Sequence, residues 1–200
     1  MINGDWSSDV CSSDLVIILL APGFEEVEAI TPIDFLRRAG LDVFTASVGT
    51  SNLEVTGAHG VTFKTDIKFE DVATNLYDAI IAPGGMPGTT NLAANAQVVA
   101  AIKSHYAAGK VVAAICAAPG FVFAEACGIM KGKTGCGYPG CDDKIEQFGG
   151  KKVTEHVHTD GNIITSRGPG TAPEFALAII RKLLGDKEAN KVGKGTLVLE

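Results

Sequence analysis

The sequence predicts an α/β domain with a mainly parallel β-sheet and helices on both faces of that sheet. Short runs of consecutive apolar residues recur along the chain, as expected of strands that are buried on both sides. Between these runs lie longer segments whose apolar residues recur at helical spacing. Because the two kinds of segment alternate, the chain forms a βαβ series, which builds a parallel sheet.

The first half of the chain supplies two strands, a helix and a hairpin. The continuous apolar run LVIILLA at 15–21 is the first predicted strand, and 42–47 is the second. The helix between them is indicated by apolar residues at helical spacing, which are Val27, Ile30, Ile33 and Leu36. A hairpin is predicted from 53–56 and 61–64.

The second half supplies three more strands and three helices. The strands are predicted at 79–82, 111–115 and 162–166. The helices are predicted around Val98, Ile102 and Tyr106, at 117–126 and at 172–184. Gly109 is the expected end of the first of these helices.

The composition fits one globular domain in a reducing compartment. The chain has 200 residues, of which 46% are hydrophobic and 20% are charged, enough for a sizeable core. A net charge of -6 without a basic run argues against nucleic acid or an anionic membrane as a partner. No apolar stretch is long enough to span a bilayer. Five cysteines, an odd number, favour a cytoplasmic protein over a disulfide-bonded secreted one.

Residues 1–15 are set apart from this domain. Their sequence, MINGDWSSDVCSSDL, is rich in Ser and Asp and lacks the basic start and apolar centre of a signal peptide. From Asp5 onward it resembles the translation of a sequencing adapter, and a disordered natural tail is the alternative. We therefore expect residues 1–15 to be non-native or disordered, followed by a single domain at 16–200.

Three short motifs directly follow predicted strands. They are GFEEVE after 15–21, PGGMPG after 79–82 and CAAPG after 111–115. The carboxyl ends of parallel strands lie at one edge of a sheet, where α/β proteins bind their ligands. The sequence thus predicts a site where the three motifs meet.

Cys116 is the candidate nucleophile of this site. It ends an apolar strand, and the small residues Ala114, Ala117 and Ala118 allow a sharp turn into the next helix. A helix N-terminus favours a thiolate, and lowering a cysteine pKa from near 8.5 by about three units makes it almost fully ionised at pH 7. The alternative is a buried, unreactive cysteine that packs as a small apolar residue.

Glu28 is the candidate acidic partner of Cys116. Pro32 cannot donate to the carbonyl of Glu28, so we expect a helix that is kinked or begins only near Thr31, with Glu28 in an irregular turn. A carboxyl group buried beside a thiolate stays protonated and donates a hydrogen bond to the sulfur. The alternative is an ordinary first-turn acid, which describes the two acids before Glu28 well.

Four motifs in order, APGFEEVEA, APGGMPG, AAICAAPG and TSRGPGT, resemble those of the ThiJ/PfpI superfamily and, within it, the DJ-one clade. The resemblance runs from about Leu15 to Glu200. It implies a flavodoxin-like three-layer sandwich and a homodimer. It also implies that Cys116 is the reactive cysteine and that Glu28 is its protonated partner.

The resemblance further implies backbone donors around the sulfur. They come from Gly84, Gly85 and Ala117 and form an anion-binding nest for a thiolate, a sulfinate or a substrate oxyanion. Relatives on the peptidase side of the superfamily have a His directly after the nucleophile, where it acts as a base. Because this chain has Ala117 there, peptidase activity is not expected.

Four further residues are expected to line the pocket. Tyr138, in GCGYPG, stands where human-type members have a His near the pocket. His59 stands where some relatives have an Arg near the partner's site, so it is expected across a dimer interface. Arg167 and Pro169 belong to SRGPG, which the resemblance places at the rim and in dimer contacts. His105 is instead expected at the surface of its helix.

No metal and no cofactor are expected. Cys136 and Cys141, with the acid and histidines of 155–158, have the residue types of a zinc site but no second cysteine pair at matching distance. Cys127, near a predicted helix end, is expected to pack in the core. PGGMPG lacks the Lys-Ser/Thr of a phosphate-binding loop, so a nucleotide is not expected either.

These features predict a cofactor-free glyoxalase or deglycase acting on a small carbonyl substrate, an activity that the resemblance implies. Cys116 would add to a 2-oxoaldehyde such as methylglyoxal or glyoxal, Glu28 would move a proton between the two carbons, and hydrolysis would release a 2-hydroxy acid. The alternative is an oxidative-stress sensor or chaperone whose Cys116 is oxidised to a sulfinate, without significant catalysis. Both functions use the same residues.

Overall fold

The computed structural model describes residues 14–200. Its strands are β1 (Leu15–Leu20), β2 (Asp42–Ser47), β3 (Glu54–Thr56), β4 (Thr62–Lys64), β5 (Ile67–Lys68), β6 (Ala79–Ala82), β7 (Val111–Ile115), β8 (Thr134–Gly135), β9 (Lys151–Lys152), β10 (Val157–Asp160) and β11 (Ile163–Ser166). Its α-helices are α1 (Glu26–Arg38), α2 (Gly88–Ala94), α3 (Ala96–Ala107), α4 (Asp143–Gln147), α5 (Ala172–Leu184) and α6 (Asp186–Gly195). A π-helix covers Pro119–Ala126, and 3-10 turns cover Phe69–Asp71 and Pro169–Thr171.

Seven of these strands form the central sheet, in the order β10-β11-β7-β6-β1-β2-β5. All neighbouring pairs are parallel except β10 with β11, which are antiparallel. In the middle of the sheet, Ile17 of β1 pairs with Phe44 of β2 and with Ile80 of β6. The predicted mainly parallel sheet is confirmed, and the predicted hairpin at 53–56 and 61–64 corresponds to β3 and β4.

Apolar side chains cover both faces of the sheet. Alternate residues of β1 pack into two different core clusters, Val16 with Ile18 into one and Ile17 with Leu19 into the other. The first cluster lies under α1 and α5, whereas the second lies under α3 and the π-helix. Because both faces of β1 are buried, its sequence is a continuous apolar run rather than an alternating one.

Helix α1 begins earlier than the sequence predicted. It starts at Glu26 and continues through Pro32 to Arg38, so the expected start near Thr31 is wrong. The physical reason is an N-terminal cap, since Oε2 of Glu25 accepts the backbone N–H of Glu28 at 2.7 Å. Glu28 therefore lies in the first turn of a regular helix and not in an irregular turn.

The apolar face of α1 also differs from the one predicted. Ile33 and Leu36 are buried as expected, but Val27 and Ile30 are 47% and 38% exposed. Helical spacing identified the four residues, but the helix presents only the last two to the core of this chain.

His105 is buried, so its predicted surface position is wrong. Its Nε2 accepts the backbone N–H of Tyr77 at 3.0 Å, and its Nδ1 donates to the carbonyl of Ala101 at 2.7 Å. The ring of Tyr77 stacks on the imidazole. The segment before β6 thus covers His105, and burial lowers its pKa.

The predictions made for the N-terminus fall mainly on residues 1–13, which lie outside the described residues. Leu15, which was set apart with them, is the first residue of β1. Within residues 14–200, no helix combines the length and the apolar character needed to cross a bilayer.

Candidate functional site

Cys116 stands at the sharp turn that follows β7. Its φ is +66°, a conformation that few residues other than glycine adopt. Two backbone hydrogen bonds hold this turn. The N–H of Cys116 donates to the carbonyl of Ser166 at 2.9 Å, and its carbonyl accepts the N–H of Tyr138 at 2.7 Å. The strained turn leaves the side chain half-buried at the carboxyl edge of the sheet.

Glu28 reaches the same edge from the first turn of α1. Its side chain is fully buried, and its Oε2 accepts the backbone N–H of Gly84 at 2.9 Å. The carboxyl group also shares a side-chain hydrogen bond with Cys116. Its other oxygen, Oε1, is buried without a nitrogen or oxygen partner among residues 14–200. A protonated carboxyl group would have a donor to offer the sulfur beside it.

The pKa of Glu28 is raised to about 7. Burial is the main cause, and the negative charge of Glu25 acts in the same direction. The hydrogen bonds from Cys116 and from the N–H of Gly84 act in the opposite direction. Glu28 therefore retains its proton to a far higher pH than an exposed glutamate does.

The pKa of Cys116 is raised as well, in contrast to the lowering expected from a helix N-terminus. Burial is the largest cause, followed by the charge of Glu28 and its hydrogen bond to the thiol. The N–H groups of Gly85 and Ala117 donate toward the sulfur and lower the pKa. The expected helix at 117–126 begins only at Pro119, so it starts farther from the sulfur than predicted.

The charge of Glu28 is one of the causes that raise the pKa of Cys116, so ionisation of the carboxyl group opposes ionisation of the thiol.

Gly84 and Gly85 allow this close approach. A Cβ at Gly84 would lie 2.5 Å from Oε2 of Glu28 and 3.1 Å from the sulfur of Cys116. Gly85 has a φ of +89°, and a Cβ there would overlap the backbone before α1. The structure thus brings together the five residues that the resemblance associated with the nucleophile, which are Cys116, Glu28, Gly84, Gly85 and Ala117.

Three of the four expected pocket residues line one cavity next to this pair. Tyr138, Arg167 and Pro169 surround a cavity of about 270 Å³, together with Gly168. A Cβ at Gly168 would lie 3.4 Å from the ring of Tyr138 and 3.9 Å from Oε1 of Glu28. The cavity is therefore adjacent to the Cys116–Glu28 pair. Cys116 and Glu28 are not themselves among the residues that line it, nor do they line a larger cavity of about 500 Å³ beside α5.

His59 lies outside that cavity. Its Nδ1 is 2.8 Å from Oε2 of Glu26 and 4.0 Å from Oε1 of Glu25, and its backbone N–H donates to Glu26. The hydrogen bond with Glu26 raises the pKa of His59. Glu25, Glu26 and His59 hold their ligand atoms within 4.8 Å of one another, which is close enough for a metal ion. These atoms already have partners in the protein, because Glu25 caps α1 and Glu26 shares a hydrogen bond with His59.

Among residues 14–200, the cysteines and histidines considered for zinc do not form a group of three with ligand atoms within 4.8 Å of one another. The sulfur of Cys136 contacts the carbonyl of Thr165 at 3.3 Å. His156 pairs with Glu174, and His158 with Glu155. Cys127 is buried at the end of the π-helix, as predicted.

Two contributors to the site were missed in the sequence. Glu25 caps α1 and adds its charge to the surroundings of Glu28. Ser166 supplies the carbonyl that holds the backbone of Cys116. A glutamate three residues before Glu28 was a weak signal, because Ser, Thr, Asp and Asn are the usual N-cap residues, and the carbonyl of Ser166 has no sequence signature.

Comparison with known proteins places the chain in one family. A model of the DJ-1/PfpI family matches residues 14–182. The chain is 38% identical to Protein DJ-1 homolog B of Arabidopsis thaliana, over 92% of the chain and 41% of that relative. It is 36% identical to Protein dj-1beta of Drosophila melanogaster, over 93% of the chain and 98% of that relative. It is 37% identical to Glutathione-independent glyoxalase DJR-1.2 of Caenorhabditis elegans, over 89% of the chain and 93% of that relative.

Solved structures agree with this placement. Drosophila melanogaster DJ-1beta superimposes with a TM-score of 0.89 at 37% identity, covering 94% of the chain and all of that structure. Toxoplasma gondii DJ-1, in an oxidized form, gives a TM-score of 0.86 at 37% identity and covers 92% of the chain and 98% of that structure. The predicted flavodoxin-like fold is confirmed. The chain spans less than half the length of the Arabidopsis relatives that it matches. The chain belongs to the DJ-1/PfpI family.

Proposed function

We propose that the chain is a cysteine-dependent, cofactor-free glyoxalase that converts 2-oxoaldehydes into 2-hydroxy acids, with deglycase activity as a variant of the same chemistry. The observation that carries this proposal is the burial of the Glu28 carboxyl group against the sulfur of Cys116, at the edge of an open cavity. One relative carries the name of a glutathione-independent glyoxalase.

The nucleophile in this proposal is the thiolate of Cys116, with the proton held by Glu28. Two backbone N–H groups donate toward the sulfur, from Gly85 and Ala117, whereas one, from Gly84, donates to the carboxyl group. A negative charge is more stable on the atom toward which more N–H groups are directed. Burial of Cys116 acts against a thiolate, but the opposing charge of Glu28 is lost when Glu28 is neutral, and the two N–H donors then favour the negative charge on sulfur. The neutral Glu28 can then donate a proton.

The reaction begins when the thiolate adds to the aldehyde carbon and forms a C–S bond. The aldehyde oxygen takes the proton of Glu28, which gives a hemithioacetal and a carboxylate. This carboxylate removes the C–H proton of the former aldehyde carbon and returns it to the neighbouring carbon, while the hydroxyl proton of the hemithioacetal passes to the ketone oxygen. The aldehyde carbon is thereby oxidised to a thioester and the ketone carbon is reduced to an alcohol.

Water completes the reaction by attacking the thioester. The C–S bond breaks, the 2-hydroxy acid leaves, and the sulfur is regenerated with one proton on the pair. The overall conversion adds one water to the 2-oxoaldehyde and consumes no external oxidant or reductant.

The test is turnover of methylglyoxal, measured as lactate formed by the purified protein. We expect Cys116→Ser to reduce the rate to that of buffer. Cys141→Ser is the matched control, because Cys141 is also a partly exposed thiol, and it should retain the wild-type rate. Lactate formation by Cys116→Ser at the wild-type rate would contradict the proposal.

A redox function is the second candidate, and the same geometry favours it. A thiolate surrounded by N–H donors and a carboxyl group is a setting in which a sulfinate is stabilised. A relative of this chain has been solved in an oxidized form. In this case peroxide would oxidise Cys116 before Cys127 and Cys136, which are buried, and kcat/KM for methylglyoxal would lie far below about 10⁴ per molar per second.

We also propose that the chain forms a homodimer through α1. Val27 and Ile30 leave an apolar face of this helix exposed, and Val61, 56% exposed, extends it from the neighbouring hairpin. The N–H of Val61 donates to Glu26 of α1 at 3.4 Å, which places the two elements side by side. Light scattering should give twice the chain mass for the wild type and the chain mass for Ile30→Lys. A monomeric wild type at micromolar concentration would contradict a dimer.

A further inference from the structure

The cavity beside Cys116 contains one arginine, Arg167. This residue directly follows Ser166, whose carbonyl accepts the N–H of Cys116 at 2.9 Å. The next residue, Gly168, forms the wall between the cavity and Oε1 of Glu28. The backbone at Arg167 is thus tied to the turn that carries the nucleophile.

Arg167 differs from the other arginines of the chain in its electrostatic surroundings. Arg37 pairs with Asp66 at 3.1 Å, Arg38 with Asp34 at 2.7 Å, and Arg181 with Asp186 at 2.6 Å. Among residues 14–200, Arg167 has no carboxylate within ion-pair distance, and its guanidinium makes one long hydrogen bond of 3.5 Å, to the carbonyl of Thr154.

The other residues that line the cavity do not neutralise this charge. The lining residues are Tyr138, Pro139, His156, Arg167, Gly168, Pro169, Gly170 and Thr171, and no acid is among them. His156 is already paired with Glu174, at 3.1 Å, outside the cavity. Glu28 is the acid behind the inner wall, and its carboxyl group is directed to Gly84 and Cys116. The guanidinium of Arg167, which has no acidic partner, is therefore the main charge in the cavity.

We propose that Arg167 is a specificity-determining residue that selects carbonyl substrates carrying an anionic group. A guanidinium presents paired N–H donors that match a carboxylate, and such pairs are stronger than neutral hydrogen bonds. The substrate class is then a 2-oxoaldehyde with a carboxylate a few bonds from the carbonyl, held with its aldehyde toward Cys116. This inference rests on the proposed role of Cys116 as the nucleophile.

The most direct probe compares two alkylating reagents of similar size and different charge. In both reactions the sulfur of Cys116 displaces iodide, which leaves with the electron pair of the C–I bond, but iodoacetate is an anion and iodoacetamide is neutral. The measured quantity is the rate constant for iodoacetate divided by that for iodoacetamide at Cys116, with both reactions followed by mass spectrometry of the peptide that contains Cys116. We expect Arg167→Gln to lower this ratio about fivefold, the effect of one unit charge nearby in a partly solvated cavity. Arg167→Lys, which keeps the positive charge, should keep most of the wild-type ratio.

The control is Arg38→Gln, which removes one positive charge from the exposed end of α1 and should leave the ratio at the wild-type value. An unchanged ratio in Arg167→Gln would overturn the inference. An equal decrease in Arg38→Gln would also overturn it, because the effect would then reflect net charge and not the cavity.

A kinetic measurement tests the substrate class itself. The quantity is kcat/KM for 4,5-dioxopentanoate, a 2-oxoaldehyde with a terminal carboxylate, divided by kcat/KM for methylglyoxal. We expect Arg167→Gln to lower this quotient about fivefold, mainly through KM for the anionic substrate. A quotient that does not change would overturn the inference. If the wild type turned over neither compound, the proposed glyoxalase function would fail, while the alkylation ratio would still decide the role of Arg167.

Discussion

The carboxyl group of Glu28 is buried against the sulfur of Cys116, and an N–H group of Gly84 fixes one of its oxygens at 2.9 Å. This relationship joins the first turn of α1 to the end of β7, two elements that are distant in sequence. It means that the titration of either group depends on the charge of the other. The stability and the activity of the protein should both reflect this coupling.

The first prediction concerns stability and pH. The pKa of Glu28 is raised to about 7 in the folded chain from an ordinary value of 4.5, so the folded state binds more protons between these values. Stability should therefore fall as pH rises through this window, by up to about 3 kcal/mol. Glu28→Gln removes this loss. We expect Glu28→Gln to gain stability relative to its parent between pH 4 and pH 8.

This comparison is made in a Cys116→Ser background, which removes the second titrating group, with urea unfolding as the measurement. Glu54→Gln, at an exposed position, is the control and should show no such gain. A parallel pH dependence for Glu28→Gln and its parent would show that Glu28 ionises as an exposed acid does.

The second prediction concerns catalysis by Glu28. Replacement by Gln keeps the shape of the side chain and the bond from Gly84 but removes the transferable proton. General acid–base catalysis contributes about 10²- to 10⁴-fold. We expect kcat/KM of Glu28→Gln for methylglyoxal to fall at least about 100-fold, with Cys116 still alkylated by iodoacetamide. A decrease of less than about threefold would remove Glu28 from the mechanism.

The third prediction concerns the close approach of the Gly84 backbone to Glu28 and Cys116. Gly84→Ala would place a methyl group 2.5 Å from Oε2 of Glu28, so the acid and the sulfur must separate. We expect a loss of about 1–3 kcal/mol in unfolding free energy, as for other overpacked sites, together with a loss of turnover. Gly195→Ala is the matched control, since within residues 14–200 its new Cβ would meet no atom within 4 Å apart from its chain neighbours and the backbone of its own helix. A Gly84→Ala protein with wild-type stability and turnover would contradict the described geometry.

The fourth prediction concerns acid stability and His105. Burial lowers the pKa of His105 below its usual value of 6.5, so the unfolded chain takes up a proton that the folded chain excludes. The contribution of this residue is present above pH 6.5 and is lost as pH falls below that value. We expect the wild type to lose more stability than His105→Gln between pH 7.5 and pH 5, measured by thermal unfolding. Equal losses would show that His105 titrates normally.

Most of the fold was predictable because its central strands are buried on both faces. The strands at 42–47, 79–82 and 111–115 have the predicted bounds. Those at 79–82 and 111–115 are fully buried, and their sequences are continuous apolar runs. The two-residue strands β5, β8 and β9 were not predicted. They are formed by backbone pairing of largely polar or small residues, which leaves no pattern of hydrophobicity.

The site was predictable to a similar degree. The meeting of Cys116 with Glu28 follows from a general rule, because Cys116 directly follows β7 and Glu28 lies at the start of the helix that follows β1, and both strands end at the same edge. The predicted start of α1 was wrong. The hydrogen bond from the N–H of Glu28 to the Glu25 carboxylate outweighs the helical hydrogen bond that Pro32 cannot donate. The balance of effects on the pKa of Cys116 could not be predicted from the sequence. It depends on burial and on the charge of Glu28, quantities that exist only once the chain has folded.

The central claim is that the single negative charge of the pair resides on sulfur at neutral pH while Glu28 keeps the proton. Thiolate absorbance near 240 nm measures this directly, as the difference between the wild type and Cys116→Ser during a titration from pH 4 to pH 10. We predict the absorbance of one thiolate with a midpoint well below pH 7, in a range where Glu28, with a pKa of about 7, still keeps its proton. No thiolate absorbance until above pH 9 would place the charge on Glu28 and contradict the account.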